Sequence, residues 1–152
     1  SDQLAAKGFD AVPKYTKHPE APPGSFRLIT GRAPGHTFSR TQTNPLLHDL
    51  MPENEIWVNA ATAARLGIRN REYVTLKNQD GVLSNRVRVK ATQRIREDTV
   101  YMVYGFGHSN KLMKTAYLMG ASAGQLNSSY RTDPIMGATS IHTNFVSLVK
   151  EA

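Results

Sequence analysis

The feature that most constrains this chain is a strict alternation of apolar and polar residues in short runs. The clearest run is "VLSNRVRVKA" at positions 82–91, which puts Val87, Val89 and Ala91 on one face and basic residues on the other. A period of two is typical of a half-buried β-strand. Turn-rich segments separate similar runs: "SFRLIT", "EIWVN", "REYVTLKN", "TVYMVYGFGH" and "IHTNFVSLVK". About six short strands in one chain favour a mainly β, closed or partly closed barrel.

Helical patterns are few. Asn59 is a good N-cap for "AATAARL", and Gly67 followed by Ile68 suits a glycine C-cap. The run "NKLMKTAYLM" also predicts a helix. Residues 1–24 hold four prolines and little periodicity, so we interpret them as a linker or extended arm preceding one domain at 25–152.

Composition excludes several classes of site. The chain has 152 residues and no cysteine, which excludes disulfides, thiolate metal sites and a cysteine nucleophile within it. No apolar run is long enough to cross a membrane, and the first residues lack the pattern of a signal peptide. The net charge of +7 suggests phosphates, nucleic acid or an acidic partner, although a solvated basic surface explains it equally well.

Three loops could carry chemistry. The first loop, at 30–45, contains "TGRAPGHTFSRTQTNP", in which two glycines expose backbone N–H groups and Arg32 and Arg40 can clamp an anion. Its hydroxyl groups suit a phosphate or a polar heterocycle, but its spacing is not that of a P-loop. The alternative is a structural loop whose threonines satisfy their own backbone.

The second loop, "YGFGH" at 104–108, and the third loop, "GASAGQLNSSYRTDP" at 120–134, also follow strand or turn patterns. Glycines and His108 could line a ligand in the second loop, or Phe106 could plug a bulge. Gln125 and Asn127 of the third loop could pair with the edge of a heterocycle, or lie on a plain surface loop.

We expect neither catalytic nor metal-ligating residues in this chain. Its five histidines lack zincin spacing, there is no nucleophile elbow, and none of the three loops holds a pair of carboxylates.

The three loops and the strands between them resemble one family from about Phe26 to Lys150. The marks are "LITGRAPGHTFSRTQTNPLL", the block from "EIWVNAATAARLGI" to "YGFGH", the asparagine loop and "NFVSLVK". They are similar to the C-terminal molybdopterin-dinucleotide-binding domain of the dimethyl sulfoxide reductase family, and most similar to its polysulfide and thiosulfate reductase branch. The resemblance implies a six-stranded double-psi β-barrel with short helices.

The resemblance also implies a function. The domain would bind bis-molybdopterin guanine dinucleotide, carrying molybdenum or tungsten, by loops at one barrel end. It would belong to a longer oxidoreductase subunit whose earlier domains hold the metal ligand and any iron–sulfur cluster, and it would not be catalytic alone. The positions that match the family's cofactor-binding loops are Thr30, Gly31, Arg32, His36, Thr37, Arg40, Thr41, Gly105, Phe106, Gly107, His108, Gln125 and Asn127.

Further expectations concern partners and place. The parent is expected to reduce thiosulfate, polysulfide or a similar small compound, with an iron–sulfur electron-transfer subunit and a membrane anchor subunit as possible partners beside the earlier domains of its own chain. We expect no nucleic acid partner and no membrane insertion by this domain. The branch implies a periplasmic location, and otherwise a cytoplasmic one. The alternative is a stand-alone basic barrel that binds nucleic acid, through Arg86, Arg88, Lys90, Arg94 and Arg96, or a protein partner.

Overall fold

The computed structural model describes residues 2–12, 14–129, 131–140 and 142–150, and its principal feature is a β-barrel. Three short helices are present: α1 (Asp2–Ala6), α2 (Pro45–Leu50) and α3 (Ala60–Arg65). The strands are β1 (Phe26–Gly31), β2 (Glu55–Asn59), β3 (Tyr73–Asn78), β4 (Leu83–Thr92), β5 (Thr99–Val103), β6 (Arg131–Thr132), β7 (Thr139–Ser140) and β8 (Phe145–Lys150).

Six strands close the barrel in the order β1-β5-β2-β4-β3-β8, with β6 and β7 as a separate pair. The pairs β1–β5 and β2–β4 are parallel, and the other pairs around the barrel are antiparallel. Because β1 and β5 run parallel, with Gly31 opposite Val103, both end at the same rim, where β2 begins. This topology places the first and second loops side by side. The expected mainly β, six-stranded double-psi barrel with short helices is confirmed.

The predicted alternation builds the core. Val74 and Leu76 of β3 and Val87 and Val89 of β4 are fully buried, while their polar neighbours face outward. A closed barrel leaves no unpaired edge, so nearly every backbone group of the wall is satisfied by a neighbouring strand.

Helix α3 has the predicted caps. The Asn59 side chain accepts a hydrogen bond from the Ala61 N–H at 2.9 Å. At the other end Gly67 has φ +64°, its N–H bonds to the Ala64 carbonyl, and the Ile68 N–H bonds to the Ala63 carbonyl. This pair of bonds is a Schellman motif, which turns the chain from the helix toward β3.

The structure corrects the prediction of a helix at "NKLMKTAYLM". Positions 110–119 form consecutive turns, in which the Asn110 side chain accepts from the Leu112 N–H and Leu118 has φ +54°. Leu112 and Leu118 are exposed, and Ala116 is the buried residue of the segment. The run therefore lacks the buried stripe that stabilises a short helix by packing.

Strand boundaries also differ from the sequence patterns. The last strand begins at Phe145 rather than at Ile141, which itself lies outside the described residues. The predicted strand at 99–108 ends at Val103, where the glycines of the second loop take over. The two-residue strands β6 and β7 and helices α1 and α2 were not predicted; α2 is capped by Asn44, with proline at its first position.

The described residues before Ser25, 2–12 and 14–24, contain α1 and are largely exposed. The arm contacts the barrel where the Arg27 guanidinium donates to the Pro19 carbonyl at 2.6 Å. Among the described residues, no helix is both long and apolar enough to span a bilayer. The division at residue 24 into an arm and a domain stays a prediction.

Candidate functional site

The first and second loops touch through backbone at the barrel rim. Gly105 has φ +97°, and a Cβ built on it would lie 2.3 Å from the Phe38 carbonyl carbon. No other residue type fits this position without moving the first loop. Phe38 itself has φ +49°, and its carbonyl accepts a hydrogen bond from the buried Gln42 side chain. The edge of the His36 ring also meets Phe106, with ring centroids 5.5 Å apart.

The second and third loops touch in the same way. Gly107 has φ +75°, and a Cβ there would lie 2.4 Å from the Ser122 nitrogen. The Gly107 N–H donates to the Met119 carbonyl at 2.9 Å. Two glycines of one short loop therefore let three chain segments approach backbone to backbone, and all three loops meet at one end of the barrel.

Asn54 fastens the third loop to the barrel. Its side chain is fully buried just before β2, and its amide donates to the carbonyls of Val103 and Ala121 at 2.8 and 2.9 Å. Its carbonyl oxygen accepts from the Ala121 N–H at 2.9 Å. Gly120 packs so closely that a Cβ would lie 2.1 Å from that oxygen. Asn54 thus replaces the backbone pairing that the third loop lacks.

A second side-chain network holds the far part of the third loop. Asp80, in the turn between β3 and β4, accepts hydrogen bonds at 2.6 Å from the hydroxyls of both Ser128 and Ser129. These bonds, that from Ser128 first, lower the pKa of Asp80 below its ordinary value. The Asn78 amide donates to the Leu126 carbonyl at 2.9 Å and to the Ser128 hydroxyl.

Two hollows adjoin where the loops meet, separated by Phe38 and Tyr104, whose ring centroids are 6.2 Å apart. We call the first, of about 520 Å3, the arginine hollow; its lining is Thr30, Gly31, Arg32, Phe38, Tyr104 and His142. The second, of about 430 Å3, is the glycine hollow; it lies between the aromatic pair and residues 105–109 and 122–124. Together they form the candidate site.

Tyr101 supports the backbone of the arginine hollow at Gly31 and Arg32. Its hydroxyl donates to the Arg32 carbonyl at 3.2 Å, and burial raises the pKa of Tyr101, which keeps the donor protonated. Gly31 packs closely against this tyrosine, since a Cβ on it would lie 2.9 Å from the Tyr101 ring and would push the ring aside. The Arg32 guanidinium is exposed and lies over the Phe38 ring at 5.3 Å from its centroid. A planar cation on an aromatic face is well placed to meet an anion.

Two polar atoms in these walls are buried without a hydrogen-bond partner among the described residues, the Thr30 hydroxyl oxygen and His108 Nε2. Thr30 lines the arginine hollow and His108 the glycine hollow. Buried polar groups are almost always satisfied in a functional protein. A polar ligand in each hollow would supply the partner that these two atoms lack, whereas a third such atom, His48 Nδ1, lines neither hollow.

His36 has a different environment from that of His108. Its Nε2 lies 2.9 Å from the Met51 carbonyl, which only accepts, so Nε2 donates. In the neutral ring Nδ1 then accepts from the Thr41 hydroxyl at 3.1 Å, and the same hydroxyl oxygen accepts from the Thr37 N–H at 2.9 Å. Both ring nitrogens of His36 are therefore engaged within the first loop and its neighbouring turn. That leaves its ring carbons and the Thr37 side chain, which is exposed, to meet a ligand.

The remaining candidates lie farther from the hollows. Arg40 is exposed on the first loop, and Gln125 is exposed on the third. Asn127 is half-buried, and its side-chain oxygen accepts from the Asn144 amide. The structure thus gathers Thr30, Gly31, Arg32 and residues 105–108 around the hollows, whereas His36, Thr37, Arg40, Thr41, Gln125 and Asn127 lie outside their lining. A cofactor-binding role for each of these residues stays a prediction.

The sequence patterns did not single out four residues of the site: Asn54, Phe38, Tyr104 and His142. Phe38 and Tyr104 lie within the first and second loops, and the available signal was the aromatic residue directly before Gly105. Asn54 and His142 gave no signal, because each acts through a segment distant in sequence: Asn54 through Ala121, and His142 through the Thr30 N–H, which donates to its Nδ1 at 3.3 Å.

The basic stripe on β4 is engaged within the barrel wall. Arg88 makes ion pairs with Glu53 at 3.3 Å and Glu55 at 3.2 Å. Arg86 lies over the Tyr73 ring and Lys90 over the Trp57 ring. These contacts give the stripe a structural role, which weakens the main observation behind the nucleic-acid alternative. Within the described part of the chain, no cluster of three or more His, Asp or Glu residues could hold a metal.

Comparisons with known proteins agree with this architecture. The family model of the molydopterin dinucleotide binding domain matches residues 26–145. The thiosulfate reductase molybdopterin-containing subunit PhsA of Salmonella typhimurium is 35% identical over 121 residues, which is 80% of this chain and 15% of that protein. In structure, the chain matches acetylene hydratase from Pelobacter acetylenicus with a TM-score of 0.76 at 16% identity, over 97% of this chain and 22% of that one.

These two relatives are much longer than this chain, which spans 15% and 22% of their lengths. The structural match establishes the fold. The family model covers most of the barrel and all of the first two loops. The chain belongs to the molybdopterin dinucleotide binding domain family.

Proposed function

We propose that this chain binds two molybdopterin guanine dinucleotides as part of the catalytic subunit of an oxidoreductase that reduces thiosulfate or a similar small sulfur compound. The observation that carries the proposal is the meeting of three loops at one barrel end around two adjoining hollows. The similarity to a thiosulfate reductase subunit supports the substrate class.

The residues present fit a pterin dinucleotide. The diphosphate of such a group favours arginine and exposed backbone N–H groups, which Arg32 and the glycine loops supply. The pterin edge carries both donors and acceptors. The Thr30 hydroxyl can both donate and accept, and His108 Nε2 can do one or the other according to the tautomer of its ring; both are buried atoms without partners among the described residues. The glycines at 105 and 107 let the backbones of the first and third loops pack against the second loop, which brings the walls of the glycine hollow together.

The role of this chain in the reaction is to bind and orient. When bound, the cofactor supplies two-electron redox chemistry at molybdenum or tungsten. Tyr101 holds the Arg32 backbone, Asn54 holds the third loop, and Phe38 with Tyr104 separates the two hollows. The guanidinium of Arg32 offsets the negative charge of the phosphates in a site partly shielded from water.

The partners and compartment follow from the same proposal. The earlier domains of the parent chain would cover the rim and supply the metal's ligand and any iron–sulfur cluster. An iron–sulfur subunit would deliver electrons from a membrane anchor subunit, and the sulfur reductase similarity favours the periplasm.

The test uses the full-length protein that carries this chain. Acid treatment of the purified protein should release guanine nucleotide in proportion to its molybdenum or tungsten. Arg32→Gln removes a charge-assisted contact worth about 1.5–3 kcal/mol, so the variant should lose nucleotide roughly ten- to a hundredfold faster during dialysis. The matched control is Arg94→Gln, an exposed arginine in the β4–β5 connection.

Wild-type protein that contains neither guanine nucleotide nor metal contradicts the cofactor part of the proposal. Equal retention by Arg32→Gln and Arg94→Gln contradicts the placement of the phosphates. The substrate is tested separately, by reduction of thiosulfate with a low-potential electron donor, and turnover of another oxyanion in preference to thiosulfate would correct it.

A further inference from the structure

A third hollow lies beside the arginine hollow, but different segments of the chain line it. Its volume is about 510 Å3, and its lining is His18, Arg27, Thr139, Ser140, His142 and Thr143. We call it the histidine hollow. His18 belongs to the N-terminal arm, Arg27 to β1, and Thr139 and Ser140 to β7, so three distant segments build it. Only His142 is shared with the arginine hollow.

Each side chain that lines the hollow carries a group able to donate a hydrogen bond, and none is a carboxylate. The Thr143 hydroxyl already donates to the Ser140 carbonyl at 3.2 Å, which leaves the hydroxyls of Thr139 and Ser140 as donors toward a ligand. Arg27 carries a permanent positive charge. His142 Nδ1 accepts the Thr30 N–H at 3.3 Å, so in the neutral ring the proton is on Nε2, which makes that atom a donor as well.

Arg27 is fixed in place at this hollow. Its guanidinium donates to the Pro19 carbonyl at 2.6 Å and to the His142 carbonyl at 3.2 Å, and it lies over the Phe145 ring at 5.0 Å. It therefore ties the arm and the segment before β8 to β1, and it holds the two histidine-bearing segments at the same hollow. A preorganised cation loses little entropy when it meets a ligand.

Two acids of a neighbouring hollow are paired with other cations. Glu20 and Asp98 line a neighbouring hollow that shares His18 and Arg27. Glu20 pairs with Lys17 at 2.5 Å and Asp98 with Arg96 at 2.7 Å. Their charges are thus largely offset by partners other than Arg27, and the histidine hollow keeps a positive balance.

We propose that the histidine hollow binds a tetrahedral oxyanion, either a free ion such as sulfate or thiosulfate or the phosphate group of a nucleotide. The donors and the absence of a carboxylate among the lining residues favour an anion, and the volume admits one with water around it. Because His142 also caps the Thr30 N–H, an anion here would steady one wall of the arginine hollow.

The test measures chemical protection in the full-length protein. Diethyl pyrocarbonate modifies accessible imidazoles, and peptide mass spectrometry gives the modification rate of each histidine. Added sulfate, with ionic strength held constant by chloride, should slow modification of His18 and His142 several-fold. His48, which lies on α2, is the internal control and should be unaffected.

Two variants keep the test decisive. In His18→Gln, which removes an exposed arm side chain, sulfate should protect His142 less strongly than in wild type. Arg27→Gln should abolish protection, whereas the matched control Arg94→Gln should keep it. Equal slowing of His48, full protection in Arg27→Gln, or no protection in wild type would each overturn the proposal.

The source of the anion is resolved by comparing cofactor-loaded with cofactor-free protein, both without sulfate. Protection in the loaded form alone assigns the hollow to a phosphate of the dinucleotide, and protection that requires added sulfate assigns it to a free ion. If the protein contains no guanine nucleotide but sulfate still protects His142, the proposed function fails while this inference stands.

Discussion

The barrel wall and the loop-covered rim are stabilised in different ways. In the wall, backbone pairs with backbone along six strands, and buried valines and leucines share the burial of apolar surface. At the rim, single side chains and glycines make the contacts: Asn54 pairs with Ala121, Asp80 with two serines, and Gly105 with the Phe38 backbone. The wall is redundant, whereas each contact of the rim depends on one residue. A substitution should therefore affect stability in the wall and ligand retention at the rim.

The largest effect is expected from Leu76→Ala in the wall. Leu76 is fully buried on β3, and truncation of such a side chain costs roughly 2–5 kcal/mol in the free energy of unfolding. Hydrogen exchange of β3, β4 and β8 in the full-length protein should accelerate together, because they pair around one core. Lys77→Ala, one position on and exposed, is the control. Faster exchange confined to the loops would contradict this view of the wall.

Gly105→Ala sharpens the comparison at the rim. The positive φ alone costs about 1–3 kcal/mol for a residue with a Cβ, and here the Cβ also overlaps the Phe38 backbone. Hydrogen exchange at 37–39 and 104–108 should rise, and guanine nucleotide should dissociate faster, while the strands remain protected.

Gly81→Ala is the matched control for this variant. Gly81 has φ +86°, but no atom lies within 4 Å of the position that a Cβ would take, so it carries the backbone strain without the overlap. Nucleotide retention should match wild type. Equal loss of nucleotide in both glycine variants would show that backbone strain, and not the close contact of Gly105 with Phe38, controls nucleotide retention.

The smallest effect is expected from acid. The serine hydroxyls lower the pKa of Asp80, so its stabilising contribution is present at pH values above its unfolded pKa and is lost as the pH falls through the lowered folded value. Exchange of amides at 126–129 should rise in that acidic range before the wall opens. In Ser128→Ala the pKa of Asp80 should return toward its ordinary value, as read by carboxyl NMR titration. An unchanged pKa would contradict the hydrogen-bonded arrangement.

The wall could be predicted because its signals are local. The alternation on β3 and β4, the Asn59 cap and the Gly67 terminus each lie within a few residues of what they specify. The helix predicted at 110–119 was wrong because helix propensity alone cannot stabilise a short segment without a buried face. The last strand shows the same limit of local patterns. The β-strand pattern begins before Phe145, but pairing with a neighbouring strand begins only at Phe145.

The rim could be predicted only as three separate loops. The patterns "TGRAPGHT" and "YGFGH" marked glycines and cations, and the family resemblance gave them a common purpose. No pattern connected Asn54 with Ala121 or Tyr101 with Arg32, because these partners are 67 and 69 positions apart in the sequence. His18 and His142, which line the same hollow, are still farther apart in the sequence.

By itself, then, the sequence determined the barrel class, the approximate positions of the six barrel strands, the caps of α3 and the loops able to meet an anionic cofactor, because each depends on neighbours along the chain. The tertiary structure decided which loops adjoin, which histidine has both ring nitrogens engaged and which has an unpartnered nitrogen among the described residues, and where the arm completes a third hollow. Those outcomes depend on the parallel pairing of β1 with β5 and on close contacts between distant segments, and neither is visible until the barrel has closed.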